Sequence, residues 1–345
     1  MSVQNAATSG RNNYLKILDA AWKDHKKPRK KNAPTVISTF AGCGGSSLGY
    51  SMAGFKELLA VEWDDNAVAT FKANFPAVFV YHGDIAKLSV EDCLKRCNLE
   101  VGELDVFDGS PPCQGFSMAG KREMSDGRNQ LFREYVRLLH GLQPKAFVME
   151  NVSGMVKGKM KLIFAEILTQ LKACGYQVKA WLLNAMYFQV PQSRQRIIFV
   201  GIRDNLKIGP TCPKAISSPI STHNAIWDLH DNGKELTPEA AKYWPLMRPG
   251  ESANRYHPKG HLFGLIKLDP NKPAPTQTRS AGASRPCHWL QPRFIGIKER
   301  ARIGAFPDEY RWCGSWANVY DRIGNSVPPL MMRAIAQHIR KLLDI

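Results

Sequence analysis

Short apolar runs, each ending in a polar or glycine-rich turn, recur along the chain and alternate with stretches of helical periodicity. The runs are TVISTF (35–40), LLAVE (58–62), VFVYHGD (78–84), LDVFDGS (104–110) and FVMEN (147–151). Apolar segments of this length between helices are typical of strands that are buried on both faces of a parallel sheet. The sequence therefore predicts an α/β fold with a doubly wound, mainly parallel sheet and a ligand site at the carboxyl ends of its strands.

Two later runs, KAWLLN (179–184) and RIIFVGI (196–202), predict a hairpin-like pair that completes the sheet. From about residue 204 Pro, Gly and His become more frequent and the periodicity fades, which predicts a second, smaller domain. The expected organisation is an N-terminal basic arm over 1–34, a main domain formed by 35–203 and 318–345, and a smaller domain over 204–317.

The chain carries a formal net charge of +17, and its excess of basic residues is concentrated in two segments. Residues 1–35 contain eight basic and two acidic residues, and residues 241–300 contain eleven and three. Two such segments favour a polyanionic partner, with an arm and a groove that bind nucleic acid; a solvated tail is the alternative for the first. Because no apolar run approaches ~18 residues and no charged-then-apolar leader opens the sequence, we expect a soluble protein without membrane contact. Its expected location is cytoplasmic and nucleoid-associated, or nuclear in a eukaryote.

A glycine-rich turn follows the first predicted strand, where the backbone N–H groups of Gly42 and Gly44 can approach a ligand closely. The next predicted strand ends in Glu62, twenty residues after Gly42. At this spacing a carboxylate meets ribose hydroxyls in nucleoside-binding α/β folds. The turn and the carboxylate together predict a nucleoside site.

Three further residues complete the predicted site. Trp63 offers a flat face for an adenine ring, Asp84 is placed to accept from the adenine amino group, and Ile85 supplies an apolar wall. The turn lacks the GxGxxG spacing that wraps a pyrophosphate, and no Walker lysine is present. An adenosine cofactor without phosphates therefore fits best, and S-adenosylmethionine is the obvious candidate.

The fourth predicted strand leads into DGSPPCQ (108–114), in which two prolines fix the backbone just before Cys113. The fifth ends in Glu150, which places a carboxyl at a neighbouring strand end. A thiol and a carboxyl that face an electrophilic methyl donor indicate covalent catalysis with proton transfer. The eight cysteines include no CxxC pair and no His-Cys cluster, so we expect no metal site.

Taken in chain order, these motifs resemble those of the DNA (cytosine-5) methyltransferases of the single-chain prokaryotic or phage type. The matching stretches are FAGCGGSSLG (40–49), Glu62-Trp63, GDI (83–85), GSPPCQGFS (109–117), ENV (150–152), PQSRQR (191–196) and IGNSVPP (323–329). GSPPCQGFS followed by ENV is highly specific. The resemblance implies an S-adenosylmethionine-dependent, Rossmann-like catalytic domain, with target recognition in the smaller domain.

The resemblance also implies roles for individual residues. The Cys113 thiolate would add to carbon 6 of cytosine, so that carbon 5 takes the methyl group and S-adenosyl-L-homocysteine is released. Glu150 would hydrogen-bond N3, Arg194 would contact the base oxygen or the surroundings of the nucleophile, and Arg196 would support the carboxyl. The cofactor pocket implied in this way is lined by Phe40, Glu62, Trp63, Asp84, Ile85, Pro112, Leu131, Asn325 and Val327.

A cytosine inside a duplex must leave the stack before this chemistry. The polar, glycine-containing stretch 114–130 is expected to be a flexible loop that closes over the DNA. In the smaller domain, Arg279 and Arg285 are candidates for reading base edges. The alternative for each is contact with a phosphate or exposure to solvent. The expected DNA contacts are Gln114, Ser117, Lys121, Arg128, Arg279 and Arg285.

The expected partner is double-stranded DNA. We expect the protein to be a monomer that needs no metal, and one expected biological setting is a pairing with a companion restriction endonuclease. One alternative is methylation of tRNA cytosine by the same architecture, but the Cys-Phe-Thr signature of those relatives is missing. The other is a non-catalytic DNA-binding homologue. Such proteins typically lose the thiol, the carboxyl or the cofactor residues, all of which are present here.

Overall fold

The computed structural model of the protein describes residues 3–112, 127–156, 158, 160–229, 233–279 and 285–345. Side chains are described from residue 13 onward, and from residue 130 in the helix that begins at Gly127. The chain forms two compact units: the sheet unit, with residues 24–184, 195–214 and 332–345, and the second unit, with residues 1–23, 185–194 and 215–331. Within the described ranges, no helix is both long enough and apolar enough to cross a membrane.

A seven-stranded sheet of order β3-β2-β1-β4-β5-β8-β6 forms the centre of the sheet unit. Strands β1 to β5 pair in parallel, while β8 runs antiparallel to both β5 and β6. This arrangement confirms the predicted fold class, and the hairpin-like pair is β6 with β8. The strands are β1 (Thr35–Thr39), β2 (Lys56–Glu62), β3 (Phe79–His82), β4 (Val106–Gly109), β5 (Ala146–Val152), β6 (Tyr176–Asn184) and β8 (Gln195–Arg203).

Helices alternate with these strands, and in two of them a side chain satisfies a free N–H group of the first turn. Asp64 caps α3 through the amide of Ala67, and Ser89 caps α4 through that of Asp92. The core between helices and sheet includes Phe107, Phe147 and Phe199, all fully buried. The helices of this unit are α2 (Gly45–Met52), α3 (Asp65–Asn74), α4 (Val90–Cys97), α5 (Gly127–Leu142) and α6 (Met160–Ala173), with most of α11 (Pro329–Leu343).

The second unit is irregular, as the fading periodicity predicts, and has its own small core around Met247, Leu265 and Phe294. Its elements are α7 (Thr222–Ile226), α8 (Pro238–Tyr243), α9 (Ile297–Ile303), α10 (Trp316–Asn325) and the short parallel pair of β7 (Gln192–Ser193) and β9 (Ala274–Pro275). The compact units divide at other residues than the predicted domain boundaries at 34, 203 and 317. Those boundaries remain predictions about functional segments.

Ion pairs of Glu299 and Arg302, two buried residues of α9, hold this helix in the second unit. The Glu299 carboxylate is enclosed and accepts from Arg293 at 2.7 Å, and Arg302 pairs with Asp308 at 2.6 Å and with Asp228 at 2.5 Å. Enclosed carboxylate–guanidinium pairs are costly to break, because removal of one partner leaves an uncompensated charge. The helix is therefore fixed by charge as well as by apolar packing.

The N-terminal arm is largely helical, as α1 (Val3–Lys26), and its side chains pack into the fold. Tyr14, Leu18 and Ala21 are almost completely buried, and the Tyr14 hydroxyl donates to the Arg302 carbonyl. The basic run after the helix is also partly structural. The guanidinium of Arg29 donates to the carbonyls of Phe55 at 3.0 Å and of Ser51 at 2.8 Å.

Candidate active site

The loop after β1 is shaped by its glycines and by a carboxylate. Gly42 and Gly44 have φ values of 57° and 92°, a conformation that side chains other than glycine rarely adopt. The Gly42 amide donates to Oε2 of Glu62 at 2.7 Å, while Oε1 accepts from the amides of Trp63 and Asp64 at 2.9 Å. The Glu62 side chain thus joins the carboxyl ends of β1 and β2 in one fixed arrangement.

A cavity of about 440 Å³ lies beside this loop, at the carboxyl ends of β1 to β4, and is formed within the sheet unit alone. It brings together seven of the predicted cofactor residues, although they come from separate parts of the chain. Gly42 and Gly44 are not among the described residues of its wall. The wall is formed by Phe40, Val61, Glu62, Trp63, Gly83, Asp84, Ile85, Ala86, Pro112, Gln130, Leu131 and Glu134.

The chemistry of this wall can be read from its members. Phe40, Ile85 and Leu131 are apolar, and Trp63 leaves 78% of its surface free for stacking. One oxygen of Asp84 accepts from the Ala86 amide at 3.0 Å, and a carboxylate has acceptor capacity beyond this bond. The described wall includes carboxylates and no Lys or Arg. Such a site suits an uncharged aromatic base and a cationic group better than phosphates.

The wall also contains a helix face, of which the sequence predictions included only Leu131. Gln130, Leu131 and Glu134 lie on the first turns of α5, and Arg137 one turn later pairs with Glu134 at 2.6 Å. Arg137 also donates to the carbonyl of Leu88 at 2.8 Å, in the segment that follows Asp84. The sequence signal for this face is the spacing of residues 130, 131 and 134, which places their side chains on one side of the helix.

Two carboxyls accept hydrogen bonds from side chains of α2 and are also absent from the sequence predictions. Asp108 is 2% exposed and accepts from the Tyr50 hydroxyl at 3.2 Å, and Ser47 donates to Glu57 at 2.8 Å. Burial raises the pKa of Asp108 to about 8, helped by the nearby Glu57 carboxyl. Burial also raises the pKa of Glu57 to about 7. Both groups therefore favour the neutral form at neutral pH or below.

The end of β5 carries the predicted catalytic carboxyl. Oε1 of Glu150 lies 2.7 Å from Nε of Arg196, and both side chains are nearly buried. They are diagonal neighbours on the antiparallel pair β5 and β8, in which Arg196 lies opposite Val152. The adjacent Asn151 donates its amide to the Pro111 carbonyl at 3.0 Å. β5 thus holds both the carboxyl and the turn that precedes Cys113.

Several predicted residues lie outside the described residues: Cys113, Gln114, Ser117 and Lys121. Arg128 lies in α5, but its side chain is not among those described. One expectation needs correction, because the predicted loop over 114–130 is too long. Helix α5 begins at Gly127, so residues 127–130 are helical rather than part of a loop.

The remaining predicted residues belong to the second unit. Arg194 is 3% exposed and donates to the carbonyls of Gln277 at 2.8 Å and Gly324 at 3.0 Å. Asn325 is exposed at the end of α10, and Val327 is buried. Their predicted roles at the base and the cofactor remain predictions. In the described part of the chain, no cluster of His, Cys, Asp and Glu is arranged to hold a metal ion.

Comparisons with known proteins identify the family of this chain. A model of the C-5 cytosine-specific DNA methylase family matches residues 34–341. The Type II methyltransferase M1.HphI of Haemophilus parahaemolyticus is 35% identical over 329 residues, which cover 89% of this chain and 87% of the relative. The Type II methyltransferase M.NgoPII of Neisseria gonorrhoeae is 32% identical, with 93% and 99% covered.

Solved structures share the architecture. A candidate DNA modification methyltransferase encoded within a prophage (E. coli) matches with a TM-score of 0.76 at 26% identity, over 91% of this chain and all of that chain. A DNMT2 structure from Spodoptera frugiperda matches with a TM-score of 0.69 at 20% identity over the same shares, and this likeness shows the fold alone. The family model and the Type II relatives together establish that this chain belongs to the C-5 cytosine-specific DNA methylase family.

Proposed function

We propose that this enzyme methylates carbon 5 of cytosine at a specific sequence in duplex DNA, with S-adenosylmethionine as donor and Cys113 as nucleophile. The reaction follows from membership of the family. One observation supports the assignment of residues. The cavity, the turn before Cys113 and the Glu150–Arg196 pair lie at the same edge of one sheet.

The described residues fit S-adenosylmethionine. Glu62 retains acceptor capacity for ribose hydroxyls after it accepts from backbone amides, and Trp63 and Ile85 of the cavity wall offer apolar surface to an adenine ring. Asp84 is placed to accept from the adenine amino group. The carboxylates of the wall favour the positive sulfonium, which supplies an electrophilic methyl group.

The protein side chains then make carbon 5 of cytosine reactive. The Cys113 thiolate adds to carbon 6, and Glu150 hydrogen-bonds N3, where negative charge would otherwise develop. Arg196 holds Glu150 in position through its 2.7 Å contact. Asn151 restrains the Pro111 carbonyl, which limits the conformations that are open to the nucleophile turn. Loss of the carbon 5 proton and release of Cys113 restore the aromatic ring.

The substrate cytosine must be flipped out of the duplex, at a cost of a few kcal/mol, and the residues after Cys113 are proposed to stabilise that state. We expect a monomer in the cytoplasm, with Arg194 near the base and the DNA contacts named above. The relatives are Type II methyltransferases, which makes a companion restriction endonuclease a reasonable setting.

Radiolabelled S-adenosylmethionine, incubated with the protein and either duplex DNA or tRNA, tests the proposal. We expect label in the DNA and none in the tRNA. Cys113→Ala should abolish transfer and retain cofactor binding, since the residues proposed to hold the cofactor are other side chains. DNA that contains 5-fluorocytosine in the target site should become covalently attached to the wild-type protein. Turnover by Cys113→Ala, or no trapped adduct, would contradict the nucleophile assignment.

A further inference from the structure

A completely buried arginine in the second unit has one nitrogen without a hydrogen-bond partner among the described residues. Arg300 is 0% exposed; its Nε donates to the Tyr320 carbonyl at 2.9 Å and its Nη2 to the Thr278 carbonyl at 2.5 Å. Its Nη1 has no hydrogen-bond partner among the described residues. A buried, charged donor without an acceptor is costly, so this guanidinium calls for an anion or water in the assembled protein.

A second guanidinium packs on the same aromatic pair. The rings of Trp316 and Tyr320 stack with centroids 4.7 Å apart. Cζ of Arg300 lies 3.7 Å from the Tyr320 centroid, and Cζ of Arg285 lies 4.9 Å from that of Trp316. Nε of Arg285 is likewise buried without a partner among the described residues. We call Arg285, Arg300, Trp316 and Tyr320 the arginine–aromatic cluster.

The positive charge of the cluster is poorly compensated. Burial lowers the pKa of Arg300, and the charge of Arg285 lowers it further. Asp321 is the acid nearby, and it also approaches a third guanidinium, that of Arg279, at 3.4 Å. The aromatic rings attract each cation, but they do not remove the repulsion between two like charges.

A small cavity opens beside the cluster. Its volume is about 40 Å³, more than the roughly 10–15 Å³ that one water-sized atom needs. Its polar lining is formed by Thr276, Thr278, Arg279, Arg300 and Tyr320. No carboxylate is among the described residues of the lining. Water alone would satisfy the free donors but would leave the charge unbalanced, whereas an oxyanion does both.

We propose that the arginine–aromatic cluster and Arg279 form a binding site for one phosphodiester group of the DNA backbone. The inference rests on the proposed function, because duplex DNA is the polyanion that this enzyme binds. It assigns Arg279 and Arg285 to positioning the DNA instead of reading its bases, since phosphate contacts carry no direct sequence information. Arg300 then acts as the buried floor of the site.

The salt dependence of DNA binding tests this site. For Arg285→Gln and Arg279→Gln, affinity should fall by the same factor on the target sequence and on random duplexes. The slope of log K against log salt should become shallower by about 0.9 when the phosphate contact is lost. Arg279 is 72% exposed as a side chain, so its replacement should not disturb folding.

Arg255→Gln is the matched control. Arg255 lies in the same unit, is 70% exposed and pairs with Glu251 at 2.6 Å, much as Arg279 pairs with Asp321. Its replacement should leave the slope unchanged. A loss of affinity limited to the target sequence, or unchanged slopes in both site variants, would overturn the phosphate site. Failure of the wild-type protein to bind duplex DNA would instead contradict the proposed function.

Discussion

At the scale of single residues, the sheet unit holds two acids in an environment that disfavours their charge. Asp108 accepts a hydrogen bond from Tyr50 in the interior, and burial raises its pKa to about 8. In an unfolded chain the same carboxyl ionises near pH 4. Unfolding between these values therefore releases a proton from Asp108, and the contribution of this group to stability falls as pH rises from about 4 to about 8. Glu57 acts in the same direction up to about pH 7.

Asp108→Asn should reduce this pH dependence. Asparagine keeps an oxygen that can accept from Tyr50, but it has no proton to release. The fall of unfolding free energy between pH 5 and pH 8, measured in urea, should be less steep by up to about 1.4 kcal/mol per pH unit. Asp19→Asn on the exposed face of α1 should leave the slope unchanged. Equal slopes for the wild type and Asp108→Asn would show that the buried carboxyl is already ionised in the folded protein.

At the scale of elements, the strands could be predicted from the sequence, whereas the buried faces of the helices could be predicted only in part. Strands buried on both faces have no polar alternation, so TVISTF and FVMEN were recognisable as runs. In α1 the sequence spacing favours Leu15, Leu18 and Trp22 as one apolar face, but the almost fully buried side chains are Tyr14, Leu18 and Ala21. Small and amphipathic residues are ambiguous in a sequence, because burial of a tyrosine depends on finding a partner for its hydroxyl.

Leu18→Ala should therefore destabilise the protein by roughly 2–5 kcal/mol, since it leaves a cavity under α1. Leu15→Ala is the control on the same helix, and the half-buried position of Leu15 predicts a smaller loss. Denaturant unfolding of both variants measures the difference. If the two losses were equal and below about 0.5 kcal/mol, α1 would not be a stable part of the fold.

The candidate site shows the same limit of sequence reasoning. Glu62 and Asp84 were predictable because strand ends in a parallel sheet meet at one edge. Glu134 was not predicted, because its role depends on where α5 packs, and the sequence does not give that position. The burial of Asp108 in β4 was not predicted either, because only the tertiary fold brings Tyr50 against it.

At the scale of the whole molecule, charge separates the two binding functions. The chain has a net charge of +17, but the described wall of the cofactor cavity has no basic side chain. Of the basic residues near the N-terminus, Lys16, Lys23, Lys30 and Lys31 are exposed, whereas Arg29 is bound to backbone carbonyls. The exposed lysines are therefore the residues that can contact phosphates. Deletion of the whole arm would not test this, because it would remove buried side chains together with the basic charge.

DNA affinity should consequently fall steeply with salt, while cofactor affinity should change less than about twofold between 50 and 200 mM salt, because partly buried contacts are weakly screened.

Replacing Lys16, Lys23, Lys30 and Lys31 with glutamine should make the DNA slope shallower by about 0.9 for each phosphate contact removed. The melting temperature should not change, since all four side chains are exposed. Calorimetry for the cofactor and fluorescence anisotropy for DNA provide the two slopes. An unchanged DNA slope in this variant would mean that the arm is a solvated surface and that the DNA-binding charge lies elsewhere in the chain.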